Sequence, residues 1–66
     1  MDKVELSERE RDVLSLLAQR MTDKEIAKAL TISPLTVKRH ATNIYGKLQV
    51  SGRREAVAKA IRLGLL

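Results

Sequence analysis

Three helix-start signals, each followed by apolar residues at helical spacing, constrain the fold of this chain more than any other feature of its sequence. Ser7 and Thr22 each precede a glutamate by three residues, the pattern of a capping box in which both side chains bond free backbone N–H groups. Ser33-Pro34 is a third signal, because serine caps a helix and proline in the first helical position has no N–H to leave unpaired. These signals predict helices that begin near residues 7, 22 and 33.

A fourth helix is predicted after Ser51, which can cap it, and its end is expected at Gly64, since glycine is common just past a helix C-terminus. The third helix is expected to run to about Leu48. Apolar residues at i, i+3 and i+4 spacing mark the face that each helix buries. These residues are Val13, Leu14 and Leu17; Ile26, Ala27 and Leu30; Val37, Ala41, Ile44 and Leu48; and Ala56, Val57, Ala60 and Ile61. The sequence therefore predicts an all-α fold, a compact four-helix domain that spans residues 1–66.

Size and composition exclude several classes of protein. A chain of 66 residues forms at most one domain with a thin core. Cysteine is absent and His40 is the only histidine, so we expect no disulfide, no metal site and no other cofactor. The sequence offers no nucleophile–base set and no phosphate-cradling glycine loop, so an enzyme is not expected. Its apolar runs fall far short of the roughly 20 residues that cross a bilayer, and its charged N-terminus does not resemble a signal peptide. We expect a cytoplasmic protein whose partner is neither a membrane nor a small molecule.

The basic charge is concentrated in the second half of the chain. The net charge is +5 overall, but residues 1–33 carry −1 and residues 34–66 carry +6. No acidic residue lies between Glu25 and Glu55. This asymmetry indicates a polyanionic partner, and a merely solvated charged face is the alternative interpretation.

The third predicted helix has the composition of a helix that contacts DNA. It follows the second after only residues 31–33, and such a tight link is the arrangement of a helix-turn-helix. An advance of about 100° per residue places six residues opposite its buried face, namely Leu35, Lys38, Arg39, Thr42, Asn43 and Gly46. Lysine, arginine, threonine and asparagine bond phosphates and base edges, and no acidic side chain interrupts them. We therefore predict that residues 36–47 read DNA. At Gly46, close approach to a phosphate and simple tolerance of a surface glycine are equally open.

Several segments also match a known family of DNA-binding domains. They are Leu6-Ser7-Glu8-Arg9-Glu10, Val13-Leu14, Leu17-Ala18, Asp23 to Ala27, Ile32-Ser33, Thr36-Val37-Lys38, His40, Asn43-Ile44-Tyr45, Lys47-Leu48, Val50-Ser51 and Arg54-Glu55-Ala56-Val57. The pattern resembles the LuxR/FixJ-type (GerE-like) helix-turn-helix over essentially the whole chain, without a gap. The resemblance implies the C-terminal effector domain of a bacterial transcriptional regulator, with helices two and three as the helix-turn-helix.

The same resemblance implies a role for individual residues. Base contacts in the major groove are implied for Lys38, Arg39 and Thr42. DNA-backbone contacts are implied for Thr22, Lys24, Ser33, Thr36, Asn43 and Lys47. Helix four is the dimerisation helix of the family, which implies Val57, Ala60 and Ile61 as interface residues. The implied partners are double-stranded DNA with an inverted repeat and a second copy of the chain, with RNA polymerase as a further candidate. The pattern departs from the family at Gln49 and Gly52, in the turn before helix four.

The sequence also allows two other interpretations of the chain and indicates roles for four further residues. A sigma-factor region-four module shares Glu-Ile-Ala and Ser-x-x-Thr-Val, but the intact fourth helix argues against it. A small helical module that binds protein through helix four is the rival outside DNA binding. His40 is expected to be structural or to contact a phosphate, and Tyr45 to pack on the core. Arg53 or its neighbour Arg54 is expected to pair with a phosphate or with an acidic residue of helix one.

Overall fold

The computed structural model describes residues 4–66, so the first three residues of the predicted domain lie outside the described residues. Four helices account for the regular structure of this range: α1 (Glu8–Ala18), α2 (Asp23–Leu30), α3 (Pro34–Leu48) and α4 (Arg53–Arg62). This confirms the predicted all-α fold. None of these helices is long and apolar enough to cross a bilayer.

The predicted caps of the first three helices are present. The Ser7 hydroxyl accepts the Glu10 N–H at 3.1 Å, and Glu10 accepts the Ser7 N–H at 2.8 Å. Thr22 and Glu25 form the same reciprocal pair at the start of α2, with the same two distances. At α3 the Ser33 hydroxyl accepts the N–H of the third helical residue, and proline occupies the first helical position.

The start of α4 differs from its prediction. Gly52, not Ser51, occupies the cap position, and no side chain caps this helix. The Ser51 hydroxyl instead donates to the Glu55 carboxylate at 2.9 Å. Ser51 lies one residue too early to reach the free N–H groups, and the carboxylate in the first turn is a stronger acceptor for its hydroxyl.

All four helices end in the same way. A residue one or two positions after each helix has a positive φ; these residues are Arg20, Thr31, Gln49 and Gly64. The next residue then donates its N–H to a carbonyl five positions earlier, as Leu65 does to Ala60 at 2.8 Å. This is the pattern of a Schellman motif, in which the residue after the turn is usually apolar and packs back on the helix. Met21, Ile32, Val50 and Leu65 fill that position here, and all four pack against the core. Of these four positive-φ positions, only Gly64 is predicted from the sequence, as the glycine just past the C-terminus of its helix.

The core lies where α3 contacts the other three helices. The predicted inner face of α3 is buried along its whole length, from Val37 to Leu48. Most other predicted core residues are buried too, but Leu30 and Val57 are only half-buried and Ile61 is 60% exposed. Helix α3 thus packs against all three other helices and leaves its remaining face exposed to solvent.

Candidate nucleic-acid interface

The connection between α2 and α3 is as short as the sequence predicts. Thr31 adopts the left-handed conformation, with φ 58° and ψ 46°, and thereby reverses the chain after α2. Ile32 packs against the core and Ser33 caps α3. The two helices are therefore fixed relative to each other by a turn of three residues, as in a helix-turn-helix.

The outward face of α3 exposes the side chains that the sequence assigns to base contacts. Lys38, Arg39 and Thr42 are all exposed, and so is Asn43. The row that points most directly away from the buried stripe is Leu35, Arg39, Thr42 and Gly46. A Cβ on Gly46 would meet no atom within 4 Å, so packing inside the domain does not require glycine there.

Thr42 offers the surface less hydrogen-bonding capacity than its residue type suggests. Its hydroxyl donates to the Lys38 carbonyl at 2.9 Å, one turn earlier in the same helix. The hydroxyl hydrogen is therefore used, and the side chain presents a methyl group and acceptor lone pairs to a partner.

The N-terminus of α3 leaves hydrogen-bond donors without partners among the described residues. Ser33 and Thr36 join their hydroxyls at 2.8 Å, and Ser33 also accepts the Thr36 N–H. Among the residues that the structure describes, this leaves one hydroxyl hydrogen and the Leu35 N–H without an acceptor. No acidic residue lies in this first turn, so the positive end of the helix dipole is not neutralised.

The N-terminus of α2 is different, although the sequence assigns backbone contacts to both ends. Thr22 and Lys24 are exposed there, but Asp23 and Glu25 lie in the same turn. Hydrogen bonds from Thr22 lower the pKa of Glu25, which keeps this carboxylate charged. This end therefore carries the negative charge that the start of α3 lacks.

Lys47 pairs with a buried carboxylate, a contact that the sequence analysis missed. Its Nζ lies 2.7 Å from Oε1 of Glu10, and the lysine side chain is 41% exposed whereas that of Glu10 is 6% exposed. Burial raises the pKa of Glu10, but hydrogen bonds from Lys47 and from the Ser7 N–H outweigh it, so this pKa lies below its usual value. The pair ties α3 to α1.

Arg53 forms a second link between helices. Its guanidinium donates to the Met21 carbonyl and lies 3.3 Å from the Asp23 carboxylate. For Arg53 the expected acidic partner in helix one was wrong, because its carboxylate partner is Asp23, the first residue of α2. The alternative expectation of a phosphate stays a prediction. Arg54, the next residue, is exposed.

The face of α4 that was assigned to dimerisation needs one correction. Ala60 is fully buried in the domain core, so its side chain has no surface to offer a second copy. Val57 is half-buried and Ile61 exposed, and both line a shallow groove between the end of α1 and α4. On α3, Tyr45 is half-buried against the core as predicted, and His40 is half-buried.

A family model and individual relatives identify the same family for this chain. The model of the LuxR family of bacterial regulatory proteins matches residues 4–60. Spore germination protein GerE of Bacillus subtilis is 49% identical over 61 residues, which is 92% of this chain and 82% of that protein. Transcriptional regulatory protein LiaR of the same species is 47% identical over 57 residues, 86% of this chain but only 27% of LiaR.

Solved structures agree with these relatives. A structure of transcription factor GerE superimposes with a TM-score of 0.87 at 43% identity, over 92% of this chain and 91% of that one. Response regulator ChrA of a heme-sensing two-component system gives 0.92 at 36% identity, over 100% of this chain and 33% of that one. These relatives are regulators, not enzymes. The chain therefore belongs to the LuxR family of bacterial regulatory proteins, and its four helices form a DNA-binding helix-turn-helix domain of a transcription regulator.

Proposed function

We propose that α3 enters the major groove of double-stranded DNA and reads its sequence through Lys38, Arg39 and Thr42. The observation that carries this proposal is the outward face of α3, which exposes two cations and two polar side chains with no acidic residue. The opposite face is fully packed, so the domain presents this surface as a rigid unit. Arginine and lysine pair with guanine, and threonine contacts adenine or the thymine methyl.

Phosphate contacts hold α3 in register on the duplex. Ser33 and Thr36 are the best supported, because the free donors and the positive helix dipole meet at the start of α3. Asn43 is exposed on the outward face of the helix and contacts a phosphate from there. Thr22 and Lys24 contribute more weakly, since two carboxylates share their turn. Lys47 has exposed surface left beside Glu10 and contacts a phosphate through it.

Two copies of the domain bind an inverted repeat through α4. Val57 and Ile61 form the apolar part of this interface, which would place two copies of α3 about one turn of DNA apart. The patch is small, and α4 carries four cations against one acid, so the domain dimerises weakly without DNA. We propose the domain, spanning residues 1–66, as a cytoplasmic module with RNA polymerase as a further partner.

The decisive experiment is selection of duplexes from a random pool, followed by titration of the enriched duplex at several salt concentrations. Six to ten phosphate contacts per dimer predict a loss of about 10³–10⁵ in affinity between about 50 and 200 mM salt. An enriched inverted repeat would support pairing through α4. Affinity that does not change with salt, or the absence of binding to any duplex at low salt, would contradict the proposal and favour a protein-binding module.

A further inference from the structure

Leu35 is the most exposed large apolar residue in the described part of the chain. Its side chain is 79% exposed, against 60% for Ile61 and 49% for Leu63, which belong to α4 and its C-terminal cap. Leu35 is the second residue of α3 and stands on the outward row with Arg39 and Thr42. No residue of the described range covers it, so the packing of that range does not account for an apolar residue at this position.

We infer that Leu35 is a specificity-determining residue that contacts the 5-methyl group of a thymine. This inference rests on the proposed reading of the major groove by α3. The first residues of a recognition helix are those that reach base edges. The thymine methyl is the apolar group that the major-groove edges of the bases present. The cations that surround Leu35, namely Lys38 and Arg39, make duplex DNA rather than an apolar protein surface the occupant of this face.

The spacing along the row fits successive base pairs. Leu35 and Thr42 are seven residues apart, which corresponds to about 10 Å along the helix axis. Base pairs follow one another at about 3.4 Å, so the row is long enough to contact more than one base pair. Arg39 lies between the two with its donors free for guanine, whereas Thr42 has already used its hydroxyl hydrogen within the helix. The row thus presents in order the apolar group of Leu35, the bidentate donor of Arg39 and the methyl-bearing acceptor of Thr42. The contact by Leu35 adds a thymine to the recognised sequence, at the end nearest the start of α3.

Deoxyuridine substitution tests this contact, because it removes one methyl group and leaves base pairing intact. The probe is the duplex enriched with the wild-type domain, in which each thymine of the half-site is replaced in turn. We expect one replacement to weaken binding by the wild-type domain by about fourfold, the value of one buried methyl group. Leu35→Ala should bind the thymine and uracil forms of that position equally, and should stay sensitive at the other positions. Leu63→Ala, which removes an exposed leucine from another face, should keep the wild-type profile.

Two results would overturn the inference while leaving the proposed function intact. One is an identical uracil profile for the wild-type domain and Leu35→Ala. The other is an equal loss of affinity of Leu35→Ala for every duplex, which would place Leu35 on the sugar–phosphate backbone. Failure to enrich any duplex would instead overturn the proposed function, and this inference with it. Thermal unfolding of Leu35→Ala at the wild-type temperature would show that the fold is retained.

Discussion

The two faces of α3 differ sharply in burial and in the kinds of side chain that they carry. Its inner face, at Val37, Ala41, Ile44 and Leu48, is at most 5% exposed and contacts every other helix. Its outer face is exposed and carries basic and polar side chains, one leucine and one glycine. Stability therefore depends on one side of the helix and binding on the other. Lys47 is the exception, since it faces solvent and also pairs with a buried residue.

The largest expected effect belongs to the inner face. Ile44→Ala removes a fully buried side chain at the centre of a thin core, and such truncations cost about 2–5 kcal/mol. A domain of this size has a free energy of unfolding of only about 3–10 kcal/mol. Urea unfolding followed by circular dichroism should therefore show a large loss of stability or a partly unfolded domain. A stability equal to that of the wild-type domain would contradict the assignment of this face to the core.

The outer face should behave in the opposite way. Arg39→Ala removes an exposed side chain that has no hydrogen-bond or ion-pair partner within residues 4–66, so we expect the free energy of unfolding to change by no more than about 0.5 kcal/mol. Affinity for the enriched duplex should fall by about 1–3 kcal/mol, and affinity for random duplexes much less. Arg62→Ala, at the far end of α4, is the matched control and should leave the preference unchanged. Equal losses on enriched and random duplexes would show that Arg39 contacts phosphates instead.

Lys47 tests whether the two faces are independent. If the exposed part of Lys47 contacts a phosphate, Lys47→Ala should weaken binding to all duplexes alike. It should also reduce the slope of log affinity against log salt concentration by about one. It should also destabilise the domain by about 1 kcal/mol, a value reduced for its solvent exposure, because it leaves the Glu10 carboxylate without its cation. In the Glu10→Gln background, which keeps the capping hydrogen bond, the stability loss should disappear while the loss of affinity remains. If both losses disappear together, Lys47 acts only by holding α1 on α3.

The same pair predicts how stability depends on pH. The pKa of Glu10 lies below its usual value in the folded domain, so the folded state favours the charged carboxylate. Its contribution is therefore complete above the unfolded pKa of about 4.5 and is lost as the pH falls through the lower, folded value. Urea unfolding at pH 6 and pH 3 should show a smaller acid-induced loss for Glu10→Gln than for the wild-type domain. The same measurement on Glu25→Gln gives the acid-induced loss for a carboxylate that is exposed instead of buried.

What the sequence predicts well is what depends on near neighbours. The caps at Ser7, Thr22 and Ser33 and the inner face of α3 all follow from residues three or four positions apart, and all are confirmed. The ion pairs that join the helices link residues 37 and 30 positions apart, and no local pattern encodes such a distance. Within the candidate interface, the helical periodicity of α3 predicted which side chains are exposed. It did not predict that the Thr42 hydroxyl would be used within the helix.

The smallest expected effect on stability belongs to the turn that joins α2 to α3. Thr31 has a positive φ in a tight connection, and a β-branched residue is strained in that conformation by about 1–2 kcal/mol. Glycine removes this strain but loses about 0.5–1 kcal/mol more conformational entropy on folding, so Thr31→Gly should stabilise the domain by about 0.5–1 kcal/mol. Urea unfolding measures this gain, and Ala29→Gly, in the last turn of α2, should instead destabilise. Because Thr31→Gly touches neither face of α3, its affinity for the enriched duplex should equal that of the wild-type domain. A change in base preference would show that the angle between α2 and α3, and not only the outward row of side chains, determines what the domain reads.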